Sequence, residues 1–154
     1  MSFRLIAQLP GRFSGVVLVG AQLPTPENML CTFTAVPPVA LFAGTKDPIV
    51  PYSGGKVSFF GFKSFGNVLS AQDTAIALAR LHGEDTIPAE VSTQGESRRQ
   101  SWSLDARVVV RLVTIERGGH TVPQPGFRYP RIMGRASQTI NVPVETVQFF
   151  GIGQ

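Results

Sequence analysis

The chain has 154 residues, 43 % of them hydrophobic and 16 % charged, which suits one globular domain with a sizeable core. Its formal charge of +4 comes from 14 basic and 10 acidic residues scattered along the chain, with Arg98-Arg99 the one basic pair singled out. There is no run of five or six like charges, so a nucleic-acid-binding arm is not expected. One cysteine, Cys31, cannot close an internal disulfide, and one Cys with two His is a poor set for zinc, so no metal and no cofactor are expected. The stretch Met1 to Ala7 is too short and mixed for the apolar core of a signal peptide, and nothing nears the roughly 20 apolar residues of a bilayer span. The compartment stays open, and no membrane partner is expected.

In chain order, apolar Phe3, Leu5, Ile6 and Leu9 follow a helical spacing that stops at Pro10-Gly11, predicting a helix over 2–9. Phe13 to Ala21 is a glycine-bounded apolar run, predicting a central strand buried on both faces of a parallel sheet. Gln22 to Pro38, with four prolines, predicts a surface loop leading into a second buried strand, Val39 to Phe42. Val57 to Asn67 holds four phenylalanines among glycines, favouring neither regular helix nor strand. It reads either as a loop pinned by aromatic anchors or as the wall of an apolar substrate pocket.

Ser70 with Asp73 three residues on is a helix cap, and Ile76, Leu78, Ala79 and Leu81 continue the helix to Gly83. Ala89–Thr93, Arg99–Leu104 and Val108–Glu116 predict three strands, a hairpin leading into a central strand, with Arg98-Arg99 on a solvated face. Asn141 caps a last helix with Pro143 in its first turn, ending at Gly151. Strand, loop, strand, helix, strand, helix is the alternation of a three-layer α/β domain.

Two short stretches carry chemistry. Asp47 sits between Gly44-Thr45 and Pro48, in a bend just after the Val39–Phe42 run; this is either an Asx-turn that satisfies its own backbone or a held catalytic acid. His120 follows Gly118-Gly119 after the Val108–Ile115 run, 73 residues on. An acid and then a histidine, each at a strand end, make two-thirds of a hydrolase triad. Ser53-Gly54-Gly55-Lys56 fails the P-loop spacing.

The stretches Gly44-Thr45-Lys46-Asp47-Pro48-Ile49-Val50-Pro51-Tyr52-Ser53-Gly54-Gly55, Val68-Leu69-Ser70-Ala71 and Ile115-Glu116-Arg117-Gly118-Gly119-His120-Thr121-Val122-Pro123 resemble the polyhydroxybutyrate depolymerase and feruloyl esterase group of α/β-hydrolases. The resemblance covers nearly the whole chain, and Arg135 to Phe150 looks like the group's closing helix. It implies a partial three-layer α/β-hydrolase fold, hydrolysis of polyester, feruloyl or short acyl esters, Asp47 as triad acid and His120 as triad base. Tyr52, Phe60, Phe62, Thr121 and Val122 fall at pocket positions; Ala43 and Val122 stand where the group usually has histidine and tryptophan.

No Gly-x-Ser-x-Gly occurs in the chain. Phe62-Lys63-Ser64-Phe65-Gly66 has Phe62 at the first glycine position and follows Asp47, so Ser64 is not the nucleophile. Met1 to Phe13 resembles the helix that follows the nucleophile elbow, so the expected serine lies upstream of Met1. The reading of a different class is a non-catalytic binding module derived from an esterase, whose unpaired sheet edge takes a partner chain or a second copy.

Overall fold

A computed structural model describes residues 2–59, 63–84 and 87–152. Helices are α1 (Ser2–Gln8), α2 (Ala71–Leu81) and α3 (Val142–Phe150); strands are β1 (Val16–Val19), β2 (Val39–Gly44), β3 (Gly55–Phe59), β4 (Lys63–Val68), β5 (Glu90–Gln94), β6 (Ser97–Leu104) and β7 (Arg107–Ile115). The main sheet runs β1-β2-β7-β6-β5. Its first three strands are parallel, and β6 and β5 continue it in antiparallel fashion.

All six residues of β2 are buried, as expected of a parallel strand covered on both faces. Side chains alternate across a strand, so Val39, Leu41 and Ala43 share one core with Leu18, Val110, Leu112 and residues of α1 and α2. Ala40 and Phe42 point the other way, into a core with Val113, Ile115, Val142 and Phe149 of α3. Helices therefore cover both faces, which gives the three layers that the alternation of elements predicts.

The predicted caps form. Ser70 Oγ accepts the backbone N–H of Asp73 and donates to its carboxylate, and Asn141 accepts from the N–H of Val144. The αL residue Gly151 closes α3.

Several expectations change. Phe13–Ala21 is not a central strand: only Val16–Val19 pairs, at the edge of the described sheet, and only Leu18 of the four is buried. Gly15 precedes it because the Phe150 ring lies where a Cβ would sit. The described residues of Val57–Asn67 are not irregular: they belong to the antiparallel pair β3–β4, with a register shift between Lys56 and Ser58. Glycines at 55 and 66, both at positive φ, allow the twisted ribbon that the sequence pattern did not suggest. Phe60 and Phe62 lie outside the described residues.

The loop 22–38 is not wholly superficial, since Gln22 and Leu23 are buried and the Leu23 N–H donates to Thr74 Oγ1 at 3.1 Å. The closing helix begins only at Val142, after the Asn141 cap. Arg98 is exposed, but Arg99 is not simply solvated: it forms an ion pair with Glu145 that ties β6 to α3.

Candidate active site

Gly44 of β2 and Ile115 of β7 are register partners at the C-terminal ends of adjacent parallel strands, where α/β sheets place their sites. The loops leaving them are bound together at once. Thr45 N–H donates to Ile115 O at 3.0 Å, Lys46 N–H to Gly118 O at 2.9 Å, and Arg117 N–H to Thr45 Oγ1 at 2.8 Å. The two loops run so close that a Cβ on Gly44 would lie 2.3 Å from Gly118 O.

Asp47 is held from two sides. Its Oδ1 accepts the N–H groups of Ile49 at 2.8 Å and Val50 at 2.9 Å, while its Oδ2 lies 2.8 Å from His120 Nδ1. The Asx-turn and the acid–histidine pair, alternatives in the sequence, coexist because the carboxylate has two oxygens. The side chain is 2 % exposed, so three hydrogen bonds replace its water.

His120 is fixed through its backbone. Its N–H donates to Met133 O at 2.7 Å and the Gly119 N–H to Arg135 O at 2.8 Å. Gly119 allows this approach, since a Cβ there would lie 2.3 Å from Met133 O. The 133–139 segment is anchored in turn by Glu96, which pairs with Arg135 and accepts from Ser137 and from Thr139 at 2.9 Å. Burial works against the Glu96 charge, but these donors and the Arg135 cation outweigh it and hold the carboxyl below its usual range.

An ionised carboxylate only accepts, so Nδ1 carries the proton toward Asp47 and the neutral ring presents Nε2 as its lone-pair nitrogen. Nε2 has no hydrogen-bond partner among the described residues, and the ring is 28 % exposed. That geometry can accept a proton from an approaching hydroxyl. Ser64, on β4, is exposed and makes no bond to it.

Tyr52 leans on the core, its hydroxyl 2.8 Å from Thr114 Oγ1. Thr121 is buried beside the histidine with Oγ1 unpartnered among the described residues, and Val122 is 40 % exposed. None of the three lines an apolar cleft of about 520 Å³, whose walls include Phe3, Met29, Leu30, Val57 and Phe65. Gly20 and Val50 also line it, and Val50 is one of the two residues whose N–H groups hold Asp47. Sequence reasoning missed Gly20, Met29 and Leu30; the 22–38 loop carries no motif, and Gly20 read only as a strand boundary. Among the described residues no three His, Cys, Asp or Glu side chains are grouped to hold a metal ion, and no helix is long and apolar enough to cross a membrane.

No family model matches the chain. It is similar to the protein named "Putative esterase NocK" of Nocardia uniformis subsp. tsuyamanensis, at 27 % identity over a 165-residue alignment that covers 97 % of this chain and 47 % of that protein. The chain spans about half the length of that relative. A distant similarity that runs over nearly the whole chain, on an α/β architecture, supports an esterase-like family for this protein.

Proposed function

We propose that Asp47 and His120 are the acid and base of a serine-esterase triad of the polyhydroxybutyrate depolymerase and feruloyl esterase kind, on an α/β-hydrolase fold, with the nucleophilic serine on polypeptide outside this chain. The observation that carries this reading is the 2.8 Å Nδ1–Oδ2 contact between a fully hydrogen-bonded carboxylate and a ring whose Nε2 is open. In the reaction the serine hydroxyl attacks the ester carbonyl while His120 Nε2 takes its proton, then returns it to the leaving alcohol. Water hydrolyses the acyl-enzyme with the same histidine as base. Asp47 fixes the tautomer and stabilises the imidazolium. The substrate would be a polyester, feruloyl or short acyl ester, its reacting carbonyl near Thr121 and Val122.

Hydrolysis of p-nitrophenyl butyrate tests the assignment. The 154-residue chain alone turns over no faster than its Asp47→Asn and His120→Ala variants, because removing a triad serine costs several orders of magnitude. A polypeptide that joins this chain to a serine-bearing upstream segment hydrolyses the ester, and both substitutions abolish most of that activity. Turnover by the chain alone that depends on Asp47 and His120 would refute the external serine; substitution-insensitive turnover by the longer polypeptide would refute the triad.

A second reading, a non-catalytic module that pairs with another chain, is favoured by β1, whose outer edge has no strand partner among the described residues. Light scattering on a sizing column separates the two: a concentration-independent monomer argues against edge pairing.

A further inference from the structure

Gly20 directly follows β1, its N–H donating to Phe42 O at 2.9 Å, and the chain turns there with φ at +58°. A Cβ built on it would lie 2.7 Å from His120 Nδ1, 2.9 Å from Cε1 and 3.2 Å from Asp47 Oδ2. Separations under about 3 Å are repulsive for carbon against ring atoms, and interiors relax little around such contacts. The bare α-carbon therefore leaves open a flank of the pair that a side chain would close. Asp47 cannot retreat, since its other oxygen is committed to Ile49 and Val50. His120 cannot retreat by its backbone, which is bonded to Met133. The ring alone is free to swing, and swinging breaks the Nδ1–Oδ2 bond.

We infer that Gly20 is a positioning residue for the Asp47–His120 pair: the absence of its side chain leaves the space in which the imidazole is held with Nδ1 toward the carboxylate and Nε2 outward. Gly20 also lines the apolar cleft, so it joins that cleft to the histidine. The inference concerns the geometry of the pair and stands whether or not the chain takes part in ester hydrolysis.

Positive φ alone disfavours alanine, so the test needs a control that carries the strain without the contact. Gly95, in the β5–β6 turn, supplies it: φ is +57° and a Cβ there meets nothing within 4 Å. The readout is the imidazole nitrogen spectrum of the ¹⁵N-labelled chain, which distinguishes the two tautomers. With two histidines in the sequence, His82→Gln assigns the signals. The unsubstituted chain and Gly95→Ala are expected to show His120 protonated at Nδ1 with a downfield, slowly exchanging proton. Gly20→Ala is expected to lose that proton signal and shift the ring toward the Nε2–H tautomer. An unchanged His120 tautomer and proton signal in folded Gly20→Ala would overturn the inference.

Thermal melting closes a double-mutant cycle and covers the case in which Gly20→Ala does not fold. The melting temperature should fall further for Gly20→Ala than for Gly95→Ala. In a His120→Ala background the added drop should shrink to the Gly95→Ala level, since the ring is gone and the strain remains. If Gly20→Ala is equally damaging with and without the His120 ring, the contact is not the constraint and the inference fails.

Discussion

Replacing Asp47 separates the two duties of its carboxylate. In Asp47→Ala the N–H groups of Ile49 and Val50 lose the oxygen they share, and His120 Nδ1 loses its partner. An unsatisfied buried donor costs about 1–3 kcal/mol. These two are part-buried and water reaches them in part, so the lower half of that range applies and the turn loses about 2–4 kcal/mol. Asp47→Asn keeps an oxygen on the two N–H groups and turns its amide N–H toward Nδ1, which then accepts. All partners remain bonded, and only the charge-assisted part of the stabilisation goes, about 1 kcal/mol. For a chain of this length each kcal/mol moves Tm by about 2–4 °C. Asp47→Ala is thus expected to melt about 4–16 °C below the unsubstituted chain and Asp47→Asn about 2–4 °C below it. Circular dichroism melts and urea titrations measure both. Equal losses for the two variants would show that Oδ1 does not hold the turn, and the reasoning would fail. Function should divide the other way. In the serine-bearing polypeptide, asparagine forces the wrong imidazole tautomer and should cost about 10⁴-fold in turnover, as it does in a serine protease triad.

Two further predictions concern the surroundings of the pair. Gly119→Ala places a Cβ 2.3 Å from Met133 O and 2.6 Å from Gly134 Cα, both backbone, so the His120 loop and the 131–135 segment must part. The expected loss is at least about 3 kcal/mol, visible as a lower urea midpoint, against a loss of about 1 kcal/mol for Gly126→Ala, where the added Cβ meets nothing; similar midpoints would contradict the close approach. His82, at the end of α2, has its pKa lowered below 6.5 by burial, which outweighs the Pro37 carbonyl and the Glu84 charge. The unfolded chain therefore binds this proton more readily, so the stabilisation is present above about pH 6.5 and is lost as pH falls through the folded value. His82→Gln should flatten that limb of the urea midpoint between about pH 7 and pH 5; an unchanged slope would remove His82 as its cause.

The chain's local signals determined much of its layout. Val39–Phe42 is a continuous apolar run, as a strand covered on both faces requires, and it read correctly as a buried strand; Val108–Glu116, mostly apolar, read correctly as the central strand that a hairpin leads into. Ser70 with Asp73 and Asn141 with Pro143 are capping chemistry confined to a few adjacent residues, so two helix starts were readable to the residue. Asp47 and His120 stood out because a carboxylate before proline and a histidine after two glycines are local patterns too.

Tertiary structure decided what depends on residues far apart in the chain. The β1 run looks like a central strand, but its place at the edge is a matter of which strands lie beside it. The Val57–Asn67 stretch shows no apolar alternation, so the antiparallel β3–β4 pairing, which joins residues across the stretch, was not readable from it. Arg99 meets Glu145 across 46 positions, and no spacing rule links a strand residue to a helix that distant. The sequence alone proposed Asp47 and His120 as a pair; only the fold brought them to 2.8 Å, by seating their loops on neighbouring strand ends. The room for that contact comes from Gly20, whose role is the absence of atoms, and an absence has no pattern to read until its neighbours are in place.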